Sequence, residues 1–389
     1  MNFDYPPEAE AFRLEFRAWL ATNLTDEVRS IGTAIGIEHD DPRLETLLRW
    51  NQLLADARYA AIAWPVEWGG RGAGIMEQVV FAEEMHLANA PGPVNIIGLS
   101  NIAPAIMEYG TEDQKQNLLP RMLRGDDIWC QGFSEPDAGS DLAALGTSAV
   151  LDGDTWVVNG QKTWNTLGNL SDYCEILVRT DRTVAKHKGI TCLLLDMRAD
   201  GVEVRPLTTI KGDAEFSEIF LTDVRVPTDM TLGPVNDGWR VAMTTLTYER
   251  AGVARLHLGL RSKVQSLLEL AKTSPGPRGY TRASDDPILR NKLARCYAEA
   301  EILKLIADRA ISAELNGEQP GAESSIAKLL WSDTEQRIAT VAIDVLGPGG
   351  LGGKSATDLL AARSYSIAGG TTQINKDVVA QRVLGLPRS

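Results

Sequence analysis

The sequence predicts an α+β protein with an N-terminal helical domain, a middle β-barrel or sandwich, and a C-terminal four-helix bundle. Three observations predict it. Apolar residues recur at helical spacing to about residue 125, short alternating strand patterns occupy about 126–232, and helical spacing returns over 233–389. A chain of 389 residues has room for two or three domains, and those three ranges, 1–125, 126–232 and 233–389, are the expected ones.

In the first range, Phe12, Phe16, Trp19 and Leu20 mark a helix over Glu8 to Leu24, and Leu44 to Ala57 repeats the pattern. Trp64-Pro-Val-Glu-Trp-Gly-Gly-Arg-Gly72 is a turn-rich break before a helix from about Met76 to Asn89. Thr111-Glu-Asp-Gln114 reads as a capping box, because each side chain can satisfy the other residue's free N–H. Strands follow at Thr155–Val158, Glu175–Arg179, Ile190–Asp196, Val202–Leu207 and Ile219–Val226, the first of them entered through an Asp152-Gly153 turn. A long amphipathic helix is expected from Trp239 to about Lys272. A second starts at Asp286-Pro287 and runs to about Leu315, and a third runs from about Ser324 to Leu346, stopping at Gly347-Pro348. The last begins after Gly369-Gly370 with Thr371 or Thr372 as its cap.

Composition narrows the chemistry. A net charge of −13 argues against nucleic acid as a partner, since its binders concentrate Lys and Arg. No apolar run approaches the ~20 residues of a membrane span, and the acidic Met1-Asn-Phe-Asp-Tyr-Pro-Pro-Glu8 lacks signal-peptide features, so a cytoplasmic, membrane-free protein is expected. The four cysteines and four histidines show no ligand or disulfide spacing. Without a metal or a serine–histidine arrangement, the chemistry falls to a carboxylate or a cofactor.

One stretch organises the chain: Cys130-Gln-Gly-Phe-Ser-Glu-Pro-Asp-Ala-Gly-Ser-Asp141, with its companion Asn159-Gly-Gln-Lys-Thr-Trp-Asn-Thr166. Together they offer a turn-rich loop of hydroxyls and N–H groups beside a hairpin carrying Trp164. With Phe220-Leu-Thr-Asp-Val-Arg-Val-Pro227, Gly369-Gly-Thr-Thr-Gln-Ile374 and the Trp64–Gly72 segment, the ordered series resembles the acyl-CoA dehydrogenase family over nearly the whole chain. The resemblance implies FAD held between the β-domain and the C-terminal bundle, and an enzyme that removes an α-proton from an acyl-CoA thioester while the β-hydrogen leaves as hydride. It implies Phe133, Ser134, Ser140, Trp164, Thr166, Gly347, Thr371 and Gln373 as cofactor contacts, and Ser140, Arg250 and Gly370 as substrate contacts. It also implies electron-transfer flavoprotein as acceptor and a homo-oligomer, dimer or tetramer.

Most family members carry the base as Glu in a Tyr-Glu-Gly-Thr turn, but here that turn is Ala368-Gly369-Gly370-Thr371. Members resembling isovaleryl- and long-chain acyl-CoA dehydrogenases place it on the long helix, where this chain has Glu249-Arg250. The residues agree: Leu246, Val253, Leu256 and Leu260 share the helical face of Glu249, no Lys or Arg lies three or four positions away, and an apolar stripe favours a raised carboxyl pKa. Glu249 is the expected base, and the Gly369 N–H is the expected donor to the thioester carbonyl.

Two departures point to a second assembly. The family's Arg-x-x-Phe-Gly segment is missing from Lys272–Ser284, and Pro287 and Asp344 stand where glutamines are usual. A heterotetramer with a related subunit that completes the FAD site is therefore the alternative, and a non-catalytic binding homologue is another. Gly347-Pro-Gly-Gly-Leu-Gly352 fits the nicotinamide fingerprint literally, but a helix pattern precedes it and no acidic residue follows at the required ~20 positions.

Overall fold

The computed structural model describes residues 5–32, 35–251, 256–317 and 321–387, with the backbone alone at 249–251 and 323. The chain packs as two units, Met1–Glu249 and Arg250–Ser389.

The first unit begins with α1 (Pro7–Asn23), α2 (Asp26–Ile31), α3 (Pro42–Asp56), α4 (Ile75–Leu87), α5 (Ala103–Tyr109) and α6 (Glu112–Arg124). Phe12, Phe16 and Leu20 of α1 are buried as their spacing requires; the Phe12 ring meets Tyr59 edge-on, and the Phe16 ring packs at a tilt against Tyr59 and Phe81. Arg13 and Arg17 reach from α1 to the buried Glu84 of α4 at 3.0 and 2.8 Å. The capping box forms at the start of α6: Gln114 N–H donates to Thr111 Oγ1 at 3.2 Å, and Thr111 N–H donates to Gln114 Oε1 at 2.9 Å. Gln114 Nε2 then donates to the carbonyls of Asp229 and Thr231, so the cap also fastens this helix to the sheet.

Among the described residues the sheet has eight strands: β1 (Trp129–Gly132), β2 (Ser148–Asp152), β3 (Thr155–Thr166), β4 (Tyr173–Arg179), β5 (Ile190–Asp196), β6 (Val202–Leu207), β7 (Phe216–Pro227) and β8 (Thr231–Leu232). The order is β6-β7-β3-β2-β4-β5-β8, with β1 parallel to β4. One register pair, Ser148↔Arg179, joins the β6-β7-β3-β2 half to the β4-β5 half, and the inward faces of both halves share one core. Cys174, Ile176 and Val178 face that core, while Leu177, Cys192 and Leu194 face a second one that includes Val241 and Ala242. Burial on both faces explains why β4 and β5 read as nearly continuous apolar runs rather than as alternation.

Several details differ from the sequence expectation. The hairpin between β2 and β3 pairs Asp152 with Thr155, which makes Gly153-Asp154 the turn, with Gly153 at φ 64°. β3 extends to Thr166, because its partner β7 is equally long and shields the polar positions. β1 was not expected at all; four residues give too little period to register. The expected helix from Trp239 is described as α7 (Gly238–Ala251) and α8 (Leu256–Thr273), and the part of that expectation over 252–255 lies outside the described residues.

The second unit contains α8, α9 (Pro287–Leu315), α10 (Glu323–Leu346), α11 (Gly353–Ala361) and α12 (Thr372–Val378). Leu260, Val264, Leu267, Leu289, Leu293, Leu303 and Val341 build its core. Asp286 caps α9 by accepting from the N–H groups of Ile288 and Leu289 at 2.8 and 3.2 Å, and Pro287 fills the first position, where no donor is needed. α10 stops at Gly347, at φ 58°, and Thr371 caps α12. α11 is an addition to the predicted set; its short run lacked a polar cap to announce it. Among the described residues no helix is long and apolar enough to cross a membrane, and all four cysteines are buried and free.

Thr111→Ala is expected to lower stability by about 1 kcal/mol, through loss of the cap and of the constraint on Gln114. Thr111→Ser should stay within a few tenths of a kcal/mol of the parent. Urea unfolding of the two variants measures the difference, and equal midpoints for Ala and Ser would contradict the capping role.

Candidate active site

The two motif segments meet in the first unit, and a buried ion pair joins them. Lys162, on β3, is fully buried; its Nζ donates to Glu135 Oε1 at 2.8 Å and to the Phe133 carbonyl at 3.1 Å. Glu135 also accepts from the backbone N–H groups of Gly146 and Thr147 at 2.6 and 2.9 Å, closing the loop that carries Ser140. A tight turn, with Glu135 and Ala138 exchanging backbone bonds, sits beneath it. Burial alone would push the Glu135 carboxyl up; the Lys162 charge and the N–H donors overcome it and hold that carboxyl below its ordinary value. Burial lowers Lys162, with Glu135 opposing.

Trp164 is positioned by a bulge. The β3–β7 register jumps between Lys162↔Ile219 and Asn165↔Ser217, so one residue too many is fitted into β3. Trp164 takes up the excess at φ 62°, a conformation that costs a bulky residue about 1–2 kcal/mol. The bulge turns the indole outward: it is 56% exposed and meets Phe216 edge-on at 5.7 Å. The Thr163 N–H, freed from the ladder, donates to the Ser134 carbonyl at 2.9 Å. Asn165 Nδ2 donates to the Gln131 carbonyl at 2.5 Å. Phe133 is buried, Ser134 and Thr166 are half-buried, and Ser140 is exposed. Gln131 Nε2, Asn165 Oδ1 and Ser217 Oγ are buried with no hydrogen-bond partner among the described residues.

In the second unit, Gly369 and Gly370 form a turn at φ 64° and 85° before Thr371. The Gly370 carbonyl accepts from Lys328 Nζ at 3.0 Å and Asn375 Nδ2 at 2.8 Å, while Lys328 also donates to the Tyr365 carbonyl at 2.7 Å. Burial lowers the Lys328 pKa, the nearby Asp333 opposing. Gly347 lies at the end of α10, and Gln373 is exposed in α12. No strand precedes Gly347–Gly352; a helix does, which removes the structural context of a nicotinamide fingerprint.

The backbone of Glu249 is helical near the end of α7. Its side chain and that of Arg250 lie outside the described residues, as does Val253, so the expected apolar stripe is described only at Leu246, Leu256 and Leu260. The sequence reading missed Lys162, Glu135, Lys328 and Asn375 as organisers of these loops. Lys162 carried no local signal: β3 mixes buried with half-buried and exposed positions, and a lysine there reads as solvent-facing.

These features define a class. The chain matches the family models for the acyl-CoA dehydrogenase N-terminal domain over residues 6–126, middle domain over 130–224 and C-terminal domain over 236–384. The chain belongs to the acyl-CoA dehydrogenase family of flavoprotein oxidoreductases. Acyl-CoA dehydrogenase IpdE1 of Mycobacterium tuberculosis is 39% identical, over 98% of each chain. Among solved structures, the ChsE4–ChsE5 complex of Mycobacterium tuberculosis matches at TM-score 0.85 and 33% identity, covering 100% of both chains. The Tcur3481–Tcur3483 steroid ACAD matches at TM-score 0.85 and 30% identity, also over 100% of both.

Lys162→Met is expected to destabilise the first unit by about 3–5 kcal/mol, because it leaves Glu135 in the loop without its counter-charge. The double variant Lys162→Met, Glu135→Leu should recover part of that loss. Thermal unfolding of the parent, the single variants Lys162→Met and Glu135→Leu, and the double variant gives the coupling, and additive losses would contradict a linked pair.

Proposed function

We propose that this chain catalyses FAD-dependent α,β-dehydrogenation of an acyl-CoA thioester, with Glu249 as the base that takes the α-proton. The observation that carries the reading is the outward-turned Trp164, held on a strained bulge beside Ser134 and Thr166 in a chain of this family. An exposed indole face, adjacent hydroxyls and unpaired buried donors and acceptors fit an isoalloxazine ring. Phe133, Ser134, Ser140, Trp164 and Thr166 would hold the cofactor, and Gly347, Thr371 and Gln373 are assigned to it as well. Bound FAD would supply the acceptor for the β-hydrogen.

The remaining work falls to the chain. The Ala368-Gly369-Gly370-Thr371 turn has no carboxylate, which leaves Glu249 as the base candidate. The turn is instead shaped to bring backbone close to a ligand: both glycines have positive φ, and Lys328 and Asn375 fix the Gly370 carbonyl. A Gly369 N–H directed at the thioester carbonyl polarises it and makes the α-proton more acidic. Arg250, Ser140 and Gly370 are assigned to the substrate. Likeness to the Tcur3481–Tcur3483 steroid ACAD favours a steroid-derived acyl group, and electron-transfer flavoprotein is the proposed acceptor.

A specific observation favours a heteromeric assembly over a homo-oligomer. Asp344 is neutralised within the chain by Lys292 at 2.7 Å, and Arg278, in the segment that lacks the family's Arg motif, pairs with the helix cap Asp286. The two cations, Lys292 and Arg278, are thus committed internally rather than free to reach a neighbour's pyrophosphate. The ChsE4–ChsE5 and Tcur3481–Tcur3483 structures each combine two differently named chains. The proposed assembly pairs this chain, which brings the base, with a related chain that completes the cofactor site.

Glu249→Gln should retain FAD yet reduce bleaching of the flavin by substrate at least ~10³-fold. Reduction at the parent rate would exclude Glu249. Purification of the chain alone should give less than stoichiometric FAD, restored by co-expression with the partner; a homo-oligomer with full FAD would remove the partner. A panel of thioesters scored by bleaching should favour steroid-derived over straight acyl chains.

A further inference from the structure

A second carboxylate lies inside the same unit and takes no part in the reaction as proposed above. Glu175, on β4, is completely buried. Its neighbours two residues on and across the ladder, Leu177 and Leu194, belong to the apolar core shared with Val241 and Ala242 of α7. Thr245 Oγ1, also on α7 and fully buried, donates to Glu175 Oε1 at 2.8 Å, and Cys192 Sγ on β5 approaches the same oxygen at 3.8 Å. Glu175 Oε2 is buried with no hydrogen-bond partner among the described residues. An apolar residue of similar size would fill this site without desolvation cost, so the carboxyl must act through what it touches. What it touches is the helix that bears Glu249, four residues after Thr245.

We propose that Glu175 is a positioning residue for the proton-abstracting helix: its carboxyl, seated between the sheet and α7, anchors that helix through Thr245 one turn before Glu249. The link to catalysis rests on the assignment of Glu249 as base; the anchor itself does not.

The chemistry of the site gives the anchor a protonation dependence. Burial pushes the Glu175 carboxyl from the ordinary 4.5 up to about 8, with the bonds from Thr245 and Cys192 opposing. The titratable groups packed around it do little to stabilise an anion. From β5 comes the Cys192 thiol, and beside Glu175 on β4 is the Cys174 thiol, which faces Cys130 of β1; burial pushes Cys174 and Cys192 well up, so both stay neutral. Lys162 of β3, whose charge acts on Cys174 and Cys192, is already paired with Glu135. From α7 it meets Thr245, which does not titrate. At neutral pH Glu175 is therefore a neutral acid. Its ionisation places an unpaired charge in the apolar wedge between sheet and helix, and the helix yields.

The sign follows from proton binding. Below pH 4.5 the carboxyl is protonated in both folded and unfolded chains. Between there and about 8 the folded chain keeps a proton that the unfolded chain releases, so stability falls as pH rises through this window and levels off above it.

The test compares the parent, Glu175→Gln, Thr245→Val and Glu249→Gln, each as the FAD-loaded assembly. Two readouts are used: urea unfolding against pH without substrate, and single-turnover flavin bleaching against pH. In the parent, the unfolding midpoint should fall as pH rises through the window, and bleaching should drop about tenfold across an alkaline limb near the Glu175 pKa. Glu175→Gln, neutral and of the same shape, should lose both dependences while retaining flavin. Thr245→Val keeps the carboxyl but removes the anchor, and should bleach about tenfold more slowly near neutral pH with substrate affinity unchanged. A Gln variant with the parent's alkaline limb overturns the proposal. If Gln does not fold, Thr245→Val decides: an unchanged bleaching rate overturns it. A Glu249→Gln protein that still bleaches would sink the base assignment alone, since the substrate-free unfolding profile reports the anchor separately.

Discussion

The buried pair of Lys162 and Glu135 is the constraint on which the first unit's site depends. A loop rich in Ser, Pro, Asp and Gly has no ladder of its own to hold it, and its exposed hydroxyls leave it little apolar surface to bury. Its order comes from one carboxylate that gathers the Gly146 and Thr147 N–H groups and from one ammonium that ties it to β3. A buried pair of this kind adds little net stability compared with an apolar packing, but it is costly to break, and it fixes geometry. Lys162 also donates to the Phe133 carbonyl, so the pair sets the backbone at the position assigned to the flavin.

The strained residue follows from the same arrangement. The β3 bulge would leave an N–H unpaired and a tryptophan in an unfavourable conformation, yet the Ser134 carbonyl takes that N–H. Loop and bulge therefore stabilise each other, and the outward indole results. In the second unit Lys328 and Asn375 do comparable work, holding the Gly370 carbonyl so that two glycines stay in conformations other residues resist. In both units a buried lysine converts a glycine- or serine-rich turn into a fixed surface.

Helix α7 has a different foundation. Its inner face packs on strands that are already covered on their other side, so its placement depends on few polar contacts, of which Thr245 to Glu175 is one. Such a site is sensitive because the surroundings offer no solvent to absorb a change of charge.

The sequence by itself determined the class of fold, the order of helical and strand segments, the boundaries of α9 and α10, and the motifs that mark the family, because these are written in local periodicity, caps and turn residues. The proposal of Glu249 as base also starts from the sequence, since the absence of a carboxylate at Gly369 is visible in the letters. What it could not determine was which way each motif points. Trp164 reads as an ordinary strand residue until the β7 register shows a bulge, and Lys162 reads as a solvent-facing lysine until Glu135, 27 residues earlier, is brought against it. Glu175 likewise looks like a polar residue in a strand, and only the packing of α7 over it makes it a buried acid. These facts depend on pairings between residues distant in the chain, whose energies exist only once the tertiary fold has removed the water between them.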